Sequence, residues 1–197
     1  MADLKHDELL HRGVASWNAW RNEHPTIQPN LAECSLVGAS LMRVNLRGAL
    51  LFRVDLSGAT LEDADLSEAD LTRANLSLAN LSGANLSRAK LLRADLIRTS
   101  LSAAILEEAD LQYADLYKAN LRGAQLYQAN LRGAHLSGVD VSQANLGEAD
   151  LSRIDLSQAM LTQARLDGAI LDGATLEGAT YTQEQLERAR SYLQIRL

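Results

Sequence analysis

The chain has 197 residues, which suits one domain of ordinary size, and 47% of them are hydrophobic although only 4% are aromatic. Leucine and alanine supply most of the apolar content, which argues against a layered α/β or sandwich core built around bulky aromatic side chains. The net charge is −6, with 25 acidic and 19 basic residues mixed along the chain, and this distribution excludes a basic nucleic-acid-binding surface.

The N-terminal segment, residues 1–30, is predicted to form a helical cap. Residues 3–23 fit a single helix, with Leu10, Val14 and Trp17 at helical spacing and a His-Pro pair after it. Both tryptophans of the chain lie in this segment and are large enough to cover the open end of a repeat. The segment is too polar for a signal peptide and the chain has no long apolar run, so we expect a cytoplasmic protein without a membrane span.

A repeat of five residues fills residues 31–180. From Leu31 to Leu176 every fifth residue is Leu except Val141, which gives 29 leucines in 30 positions. Two residues before each of these centres, 24 of 30 positions hold Ala. The other six hold small or apolar residues, namely Cys34, Val44, Val54, Thr99, Val139 and Ile154. Asp or Asn commonly stands directly before the central Leu.

A period of five fits neither regular secondary structure. On an α-helix five residues advance by about 140°, which would scatter the leucines around every face. On a flat strand an odd period would send successive leucines to opposite sides. Only a chain that turns once in every unit keeps all the leucines inside, with the alanines beside them and the other three positions facing water. Successive coils would then stack as parallel ladders about 4.8 Å apart.

The tandem pattern Ala-(Asp/Asn)-Leu-x-x resembles the pentapeptide-repeat family, and the resemblance covers residues 31–180 without a break. It implies an all-β solenoid, a right-handed quadrilateral parallel β-helix with four units in each coil. Thirty units would make 30/4 = 7.5 coils. Because the ends of such a solenoid expose leucines and unpaired strand edges, we expect both ends to be capped.

The C-terminal segment, residues 181–197, is predicted to form a second helical cap. Residues 182–185 have the pattern of a capping box, from which a helix would run to about Tyr192. The side chains expected on one side of this helix are Leu186, Ala189 and Leu193. One terminal helix could instead be a dimerisation surface, so the expected state is a monomer or a homodimer formed through a terminal helix.

The sequence offers no set of residues suited to catalysis. Its histidines are His6, His11, His24 and His135, and none has a Cys or carboxylate at metal-ligand spacing. No phosphate-binding glycine loop, nucleophile elbow or zinc-protease motif is present, and the single cysteine, Cys34, excludes an internal disulfide. We therefore predict no catalytic, cofactor-binding or metal-binding residues, no cofactor, and a protein that is not an enzyme.

Stacking at twenty-residue intervals predicts columns of surface side chains. One predicted column contains Asp95, Asp115, His135 and Asp155. A second contains Arg53, Arg73 and Arg93, with Tyr113 next in line. The first could be a pH-responsive position and the second an anion site, but solvated surface columns are the favoured interpretation of both. Each arginine stands two residues before an Asp or Asn, which predicts local charge balance.

The outward positions otherwise hold mainly Ser, Arg, Asp and Gly, so apolar residues there are informative. Arg93, Ile97, Tyr113 and Tyr117, with Leu92 nearby, are predicted to meet around one corner of two adjacent coils. A cluster that combines Tyr, Arg and an apolar residue is typical of a protein-binding patch. These four residues are the predicted partner-binding site, although a β-surface that simply favours aromatic residues remains an alternative.

The favoured function is a non-catalytic scaffold or regulatory protein that presents the surface of a rigid β-helix to a protein partner, with no direct contact to nucleic acid or membrane. The resemblance also implies an alternative, a DNA mimic that binds DNA gyrase or topoisomerase as quinolone-resistance relatives do. This chain departs from those relatives in its leucine centres, its uninterrupted repeat and its diluted charge. Residues 31–180 carry 19 acidic and 13 basic residues, interleaved along the repeat.

Overall fold

The computed structural model describes residues 4–197. Helices α1 (Leu4–His11) and α2 (Val14–Glu23) precede a long series of turns and parallel β-bridges, and a short helix α3 (Gln183–Glu187) lies near the C-terminus. Within the described residues, no helix combines the length and the apolar character that a bilayer crossing requires.

Each five-residue unit is one extended residue pair followed by a turn. In the unit that begins at Ala94, Asp95 forms the bridge, Leu96 points inward, and the next two residues make the turn. The turn is closed by the amide of Thr99, which donates to the carbonyl of Leu96 over 3.1 Å. Its second residue, Arg98, has φ 54°, which is the left-handed conformation that a type II turn requires at that position.

The Asp or Asn that precedes each central Leu stabilises the turn that follows. Asp95 accepts a hydrogen bond at Oδ1 from the amide of Ile97 over 3.0 Å. The same contact recurs through the solenoid, at Asp55, Asp65, Asp70, Asn75, Asn80, Asn85, Asp115, Asn120, Asp140 and Asp155 among others. Asp and Asn favour such local bonds to a backbone amide two residues on, which gives this sequence position its composition.

Parallel bridges join residues that are twenty apart, from Asn30 with Leu50 to Met160 with Thr180, so four units separate each residue from its bridge partner. All thirty unit centres are buried, with at most 4% of any side chain exposed. The buried threonine in an Ala position, Thr99, satisfies its hydroxyl by donating to the carbonyl of Leu76 over 2.8 Å. The repeat therefore forms a β-helix solenoid whose axis is filled by leucine.

Residues 4–23 contain two helices, so the prediction of one continuous helix is wrong for this range. Its predicted start at residue 3 lies outside the described residues. Gly13, with φ 103°, separates α1 from α2. The amide of Gly13 closes the end of α1 by donating to Leu10, and its carbonyl accepts from Trp17 to begin α2. A positive φ of this size interrupts helical geometry, and glycine adopts it without steric cost.

Side chains of α2 bind backbone groups at the open edge of the first coil. Trp17 is fully buried, and its Nε1 donates to the carbonyl of Asn45 over 2.7 Å. Asn18 accepts from the amide of Asn45 and donates to the carbonyl of Arg43, both over 2.9 Å. Arg21 donates to the carbonyl of Arg47, also over 2.9 Å. The amide and carbonyl of Asn45 and the carbonyl of Arg47 are edge groups of the kind that a preceding coil would otherwise pair.

The C-terminal helix is shorter than predicted. The capping box of Thr182 and Gln185 is present, but α3 ends at Glu187 instead of continuing to Tyr192. The chain then returns to the ladder, where Ser191 pairs with Ile170. Its backbone satisfies ladder groups of the last coil, because the carbonyl of Ser191 accepts from the amide of Leu171.

The predicted apolar side of the C-terminal helix is correct for only part of its length. Leu186 is buried and Ala189 is half-buried against the core. Leu193 lies beyond the helix and is 69% exposed, so its predicted place on that side is wrong. The ladder at Ser191 redirects the chain before a further helical turn could bring Leu193 inward.

Candidate protein-binding surface

The turns of successive coils lie above one another and form columns along the solenoid. The first turn column consists of residues 92–93 and their equivalents at twenty-residue intervals, and the second consists of residues 97–98 and their equivalents. The third turn column contains residues 102–103 and their equivalents. In each coil, a column contains one first turn residue and one second turn residue, and the second residue has the left-handed conformation.

The four residues of the predicted site divide between two turn columns. Arg93 and Tyr113 belong to the first, whereas Ile97 and Tyr117 belong to the second. They therefore do not surround one corner, and the sequence prediction of a single shared corner is wrong on this point. Every unit makes its own turn, and the extended residues 94–96 separate the turn of Arg93 from that of Ile97.

Tyr113 is the most prominent aromatic side chain of the first turn column, with 53% of its surface exposed. The guanidinium carbon of Arg93 lies 5.9 Å from the centre of its ring, within the range of a cation–π contact. On the other side lies Gly133, where an added Cβ would stand only 2.7 Å from Cε1 of Tyr113. The ring is thus held between an arginine and a glycine, and any larger residue at position 133 would displace it.

Tyr117 is held by a different set of neighbours in the second turn column. Its ring stacks on His135, with the centroids 5.6 Å apart and an angle of 16° between the planes. The ammonium group of Lys118 lies 5.0 Å from the ring centre. The backbone amide of Tyr117 donates to Asp115 over 3.0 Å.

The predicted column of Asp95, Asp115, His135 and Asp155 is confirmed, since consecutive members are bridge partners. Nδ1 of His135 lies 3.1 Å from Asp115 Oδ1, and Nε2 lies 3.7 Å from Asp155 Oδ2. The imidazole therefore lies between two carboxylates, and one of its faces stacks on an aromatic ring. These contacts fix the orientation of His135 and, through it, the neighbouring ring of Tyr117.

Sequence reasoning missed a shallow groove that runs along the first turn column. It has a volume of about 540 Å³. Its lining residues are Phe52, Thr72, Arg73, Leu92, Arg93 and Tyr113. Phe52, Thr72 and Leu92 occupy the same turn position in three successive coils, and this twenty-residue register is the signal that could have revealed them.

The charge balance predicted for the first turn column is incomplete. Arg53 lies 3.7 Å from Glu33 and also stacks over Phe52, at 5.7 Å from the ring centre. Within residues 4–197, Arg73 and Arg93 form no ion pair. The residues two positions after Arg73 and Arg93 are Asn75 and Asp95, and each accepts a turn amide at its Oδ1. Arg132 and Arg153 of the same column also form no ion pair within the described residues, so the column presents four guanidinium groups without a paired carboxylate.

Two exposed apolar residues of the second turn column also escaped the sequence interpretation. Leu78 is 64% exposed and Val37 is 58% exposed, which makes both more accessible than Ile97. Leu78 lies in the coil adjacent to that of Ile97, and its amide donates to the carbonyl of Ile97 over 3.0 Å. The apolar character of this column thus extends beyond the predicted pair.

The side chains of the first and second turn columns are suited to non-covalent binding. Aromatic rings, aliphatic side chains and guanidinium groups occur together in these columns, and these groups bind by apolar burial, stacking and charge-assisted hydrogen bonds. Among residues 4–197, no group of His, Cys, Asp and Glu side chains is arranged to hold a metal ion.

Comparison with known proteins places the repeat among others of its kind. The family model for pentapeptide repeats matches in 8 copies, over residues 28–58, 49–88, 79–116, 104–143 and 142–178. The chain is similar to the solved structure of HetL, a pentapeptide repeat protein involved in heterocyst differentiation regulation from the cyanobacterium Nostoc sp. strain PCC 7120. The two are 34% identical over 86% of this chain and 85% of HetL, with a TM-score of 0.38.

Two further solved structures are similar over different lengths. QnrB1, a plasmid-mediated fluoroquinolone resistance protein, is 20% identical over 83% of this chain and 86% of its own, with a TM-score of 0.46. A pentapeptide repeat protein from the Arabidopsis thaliana thylakoid lumen is 36% identical over 51% of this chain and 63% of its own, with a TM-score of 0.25. No curated protein matches the chain.

Proposed function

The chain belongs to the pentapeptide-repeat family, and we propose that it is a non-catalytic scaffold or regulatory protein that binds a protein partner through its turn columns. The observation that carries this proposal is the exposed ring of Tyr113, which contacts the guanidinium of Arg93 and packs over Gly133. Tyr and Arg are among the residues most enriched at the energetic centres of protein interfaces. A side chain held in place before binding loses little entropy when a partner arrives.

Similarity to HetL supports a regulatory role, because HetL is involved in heterocyst differentiation regulation and is 34% identical to this chain. The leucine-filled axis supports a non-catalytic role, since its thirty buried centres leave the turn columns as the main surface available to a partner. The proposed partner-binding residues are Arg93, Ile97, Tyr113 and Tyr117. The two pairs would contact the partner from adjacent turn columns.

The finer architecture expected from the sequence is part of this proposal. We propose a right-handed quadrilateral winding of about 7.5 coils, from the thirty five-residue units, with helical segments that cap both ends. The hydrogen bonds from α2 to the first coil support the N-terminal cap. Burial of Leu186 supports the C-terminal one.

The experiment is a pull-down from the native host followed by calorimetric titration of the recovered partner. Tyr113→Gln combined with Tyr117→Ser should weaken binding by about 2 kcal/mol or more if both tyrosines are central to the interface. The fold should persist, because Gln128 and Gln143 already occupy the left-handed turn position and Ser137 the first turn position.

The matched control removes two side chains from the third turn column. Gln143→Ala with Gln163→Ala deletes an exposed pair whose side chains are hydrogen-bonded over 3.2 Å. Ala103 already adopts the left-handed conformation in that column. Equal partner affinity for the two double variants would contradict the proposed binding surface.

The DNA-mimic alternative lacks a supporting observation on this surface. A duplex mimic needs dense and regular negative charge, whereas several carboxylates here lie against basic side chains. Such pairs are Arg43–Asp63, Arg47–Glu68 and Arg88–Glu108, at 3.6, 2.8 and 3.0 Å. We expect no inhibition of gyrase supercoiling. Strong inhibition that disappears on charge reversal of Asp110 and Asp150 would promote the alternative.

A further inference from the structure

The groove of the first turn column combines two chemically different rows of side chains. The first turn residues give an apolar row, in which Phe52 and Leu92 flank Thr72 and all three are half-buried. The second turn residues give a cationic row that contains Arg73 and Arg93. The rows run side by side along the solenoid, because both follow the same twenty-residue register. A ligand in the groove therefore meets an apolar floor and a line of guanidinium groups together.

From this arrangement we infer that the first turn column binds an extended acidic segment of a protein partner, with apolar side chains on the Phe52–Leu92 row and carboxylates on Arg73 and Arg93. The inference rests on the proposed function, for which it names the chemical class of the partner. Arginine pairs with carboxylates through two parallel hydrogen bonds, which gives both attraction and orientation.

The dimensions suit a chain in extended conformation. Three coil spacings of about 4.8 Å separate Phe52 from the level of Tyr113, so the groove is roughly 14 Å long. An extended peptide advances about 3.3 Å per residue and presents alternate side chains on one side. Four or five residues, roughly, would fill the groove, with acidic residues on one side and apolar residues on the other.

Recognition in this groove depends on side chains, because the backbone is already paired. The amides of Arg93 and Tyr113 donate to carbonyls of the next coil over 3.0 and 3.1 Å. The groove therefore cannot add the segment as another strand. Tyr113, held over Gly133, closes one end of the groove and provides a ring face for an apolar or cationic residue of the segment.

A nucleic acid fits this surface less well than an acidic peptide. The cationic row is one side chain wide. The residues before its turns are Asp70, Lys90 and Asp110, and those after its turns are Asn75, Asp95 and Asp115. Carboxylates therefore occupy four of the six flanking positions. These charges would repel the closely spaced phosphates of a duplex. A peptide can place its carboxylates only where the arginines are.

The test is fluorescence anisotropy with three labelled probes: a peptide of alternating Glu and Leu, the same peptide with Gln in place of Glu, and a DNA duplex. The Glu–Leu peptide should bind, with an affinity that falls as salt is added. The Gln–Leu peptide should bind at least about tenfold more weakly, and the duplex should not compete. Absence of binding by the Glu–Leu peptide, or tighter binding of the duplex, would overturn the inference.

Charge reversal locates the binding. Arg73→Glu with Arg93→Glu should abolish binding of the Glu–Leu peptide, whereas Arg43→Glu with Arg122→Glu, in the third turn column, makes the same charge change and should leave it within about threefold. Glu68 and Glu108 already occupy the left-handed turn position, so the fold should tolerate the changes, and thermal melting checks this. Equal loss in both double variants would show only a nonspecific charge effect.

The recovered partner separates this inference from the proposed function. If Arg73→Glu with Arg93→Glu leaves partner binding intact while the Tyr113 and Tyr117 double variant weakens it, the acidic-segment inference is wrong and the proposed function stands. If neither double variant weakens partner binding, the proposed function fails as well. If both weaken it, both are supported.

Discussion

The central coils and the terminal segments of this protein are stabilised in different ways. In the central coils every unit repeats the same few contacts, so a residue such as Leu116 has many equivalents, all of them buried. At the N-terminus, Trp17 and Asn18 each make hydrogen bonds that occur once. At the C-terminus, α3 interrupts the register by one residue, and Ser191 pairs with Ile170 instead of its twenty-residue partner.

This difference shows that the centre and the ends of a solenoid depend on different kinds of contact. The centre gains stability from the addition of similar neighbouring interfaces, as expected for repeat proteins. The ends must cover apolar residues and satisfy backbone groups that no further coil reaches, and each group needs its own partner. A change at the centre should therefore affect cooperative unfolding, whereas a change at an end should act locally or through association.

The largest effect is expected from Leu116→Arg in the central coils. The change would bury an unpaired charge in a side-chain position with no exposed surface, and we expect a loss of more than about 4 kcal/mol of unfolding free energy, or insolubility. Thr162→Arg is the control, because it is an exposed first turn residue like Arg122. Similar melting of both variants by circular dichroism would contradict the inward placement of the centres.

A second large effect is expected from deletion of residues 1–24. The deletion removes Trp17 and exposes the first coil, so the protein should associate and melt at a lower temperature. Light scattering and thermal melting measure the two consequences. A deletion variant that remained monodisperse with unchanged melting would show that the first coil needs no cover.

The central coils could be predicted from the sequence because their contacts are periodic. The spacing of the leucines determines which residues point inward, and the twenty-residue register gives the column of His135 and its aspartates. The terminal segments depend on single contacts that no period announces. The left-handed φ of Gly13 divides the N-terminal helix, and the ladder at Ser191 ends the C-terminal one.

The candidate site was predicted in part for the same reason. Register placed Tyr113 above Arg93, but the turn within every unit assigns Ile97 and Tyr117 to a neighbouring column. The role of Gly133 depends on the direction of the Tyr113 ring, which is a rotamer property outside the reach of a sequence pattern.

A moderate effect is expected from Asn18→Ala at the N-terminal end. The change leaves the amide of Asn45 and the carbonyl of Arg43 without their side-chain partner, which should cost about 1–2 kcal/mol of unfolding free energy. Asn22→Ala, at an exposed position of the same helix, is the matched control and should be nearly neutral. Denaturant titration of both variants would show whether the edge contacts of α2 have this value.

The prediction with the least consequence for stability concerns the reactivity of Cys34 in the first coil. Burial and, to a smaller extent, the neighbouring carboxylate of Asp7 together raise the pKa of its thiol to about 11. Because the thiolate is the reactive form, alkylation near pH 8 should be roughly 100-fold slower in the native protein than in urea. Removing residues 1–24 should accelerate it. Equal rates in the native and unfolded protein would show that the N-terminal segment does not protect the first coil.

The central claim is that this solenoid binds a protein partner through its first two turn columns. Site-specific photo-crosslinking in cells of the native host tests it most directly, with p-benzoylphenylalanine in place of Tyr113 in one variant and of Gln163, in the third turn column, in another. We predict a discrete crosslinked protein from position 113 and none from position 163. The same crosslinked products from both positions, or none from position 113, would contradict the claim.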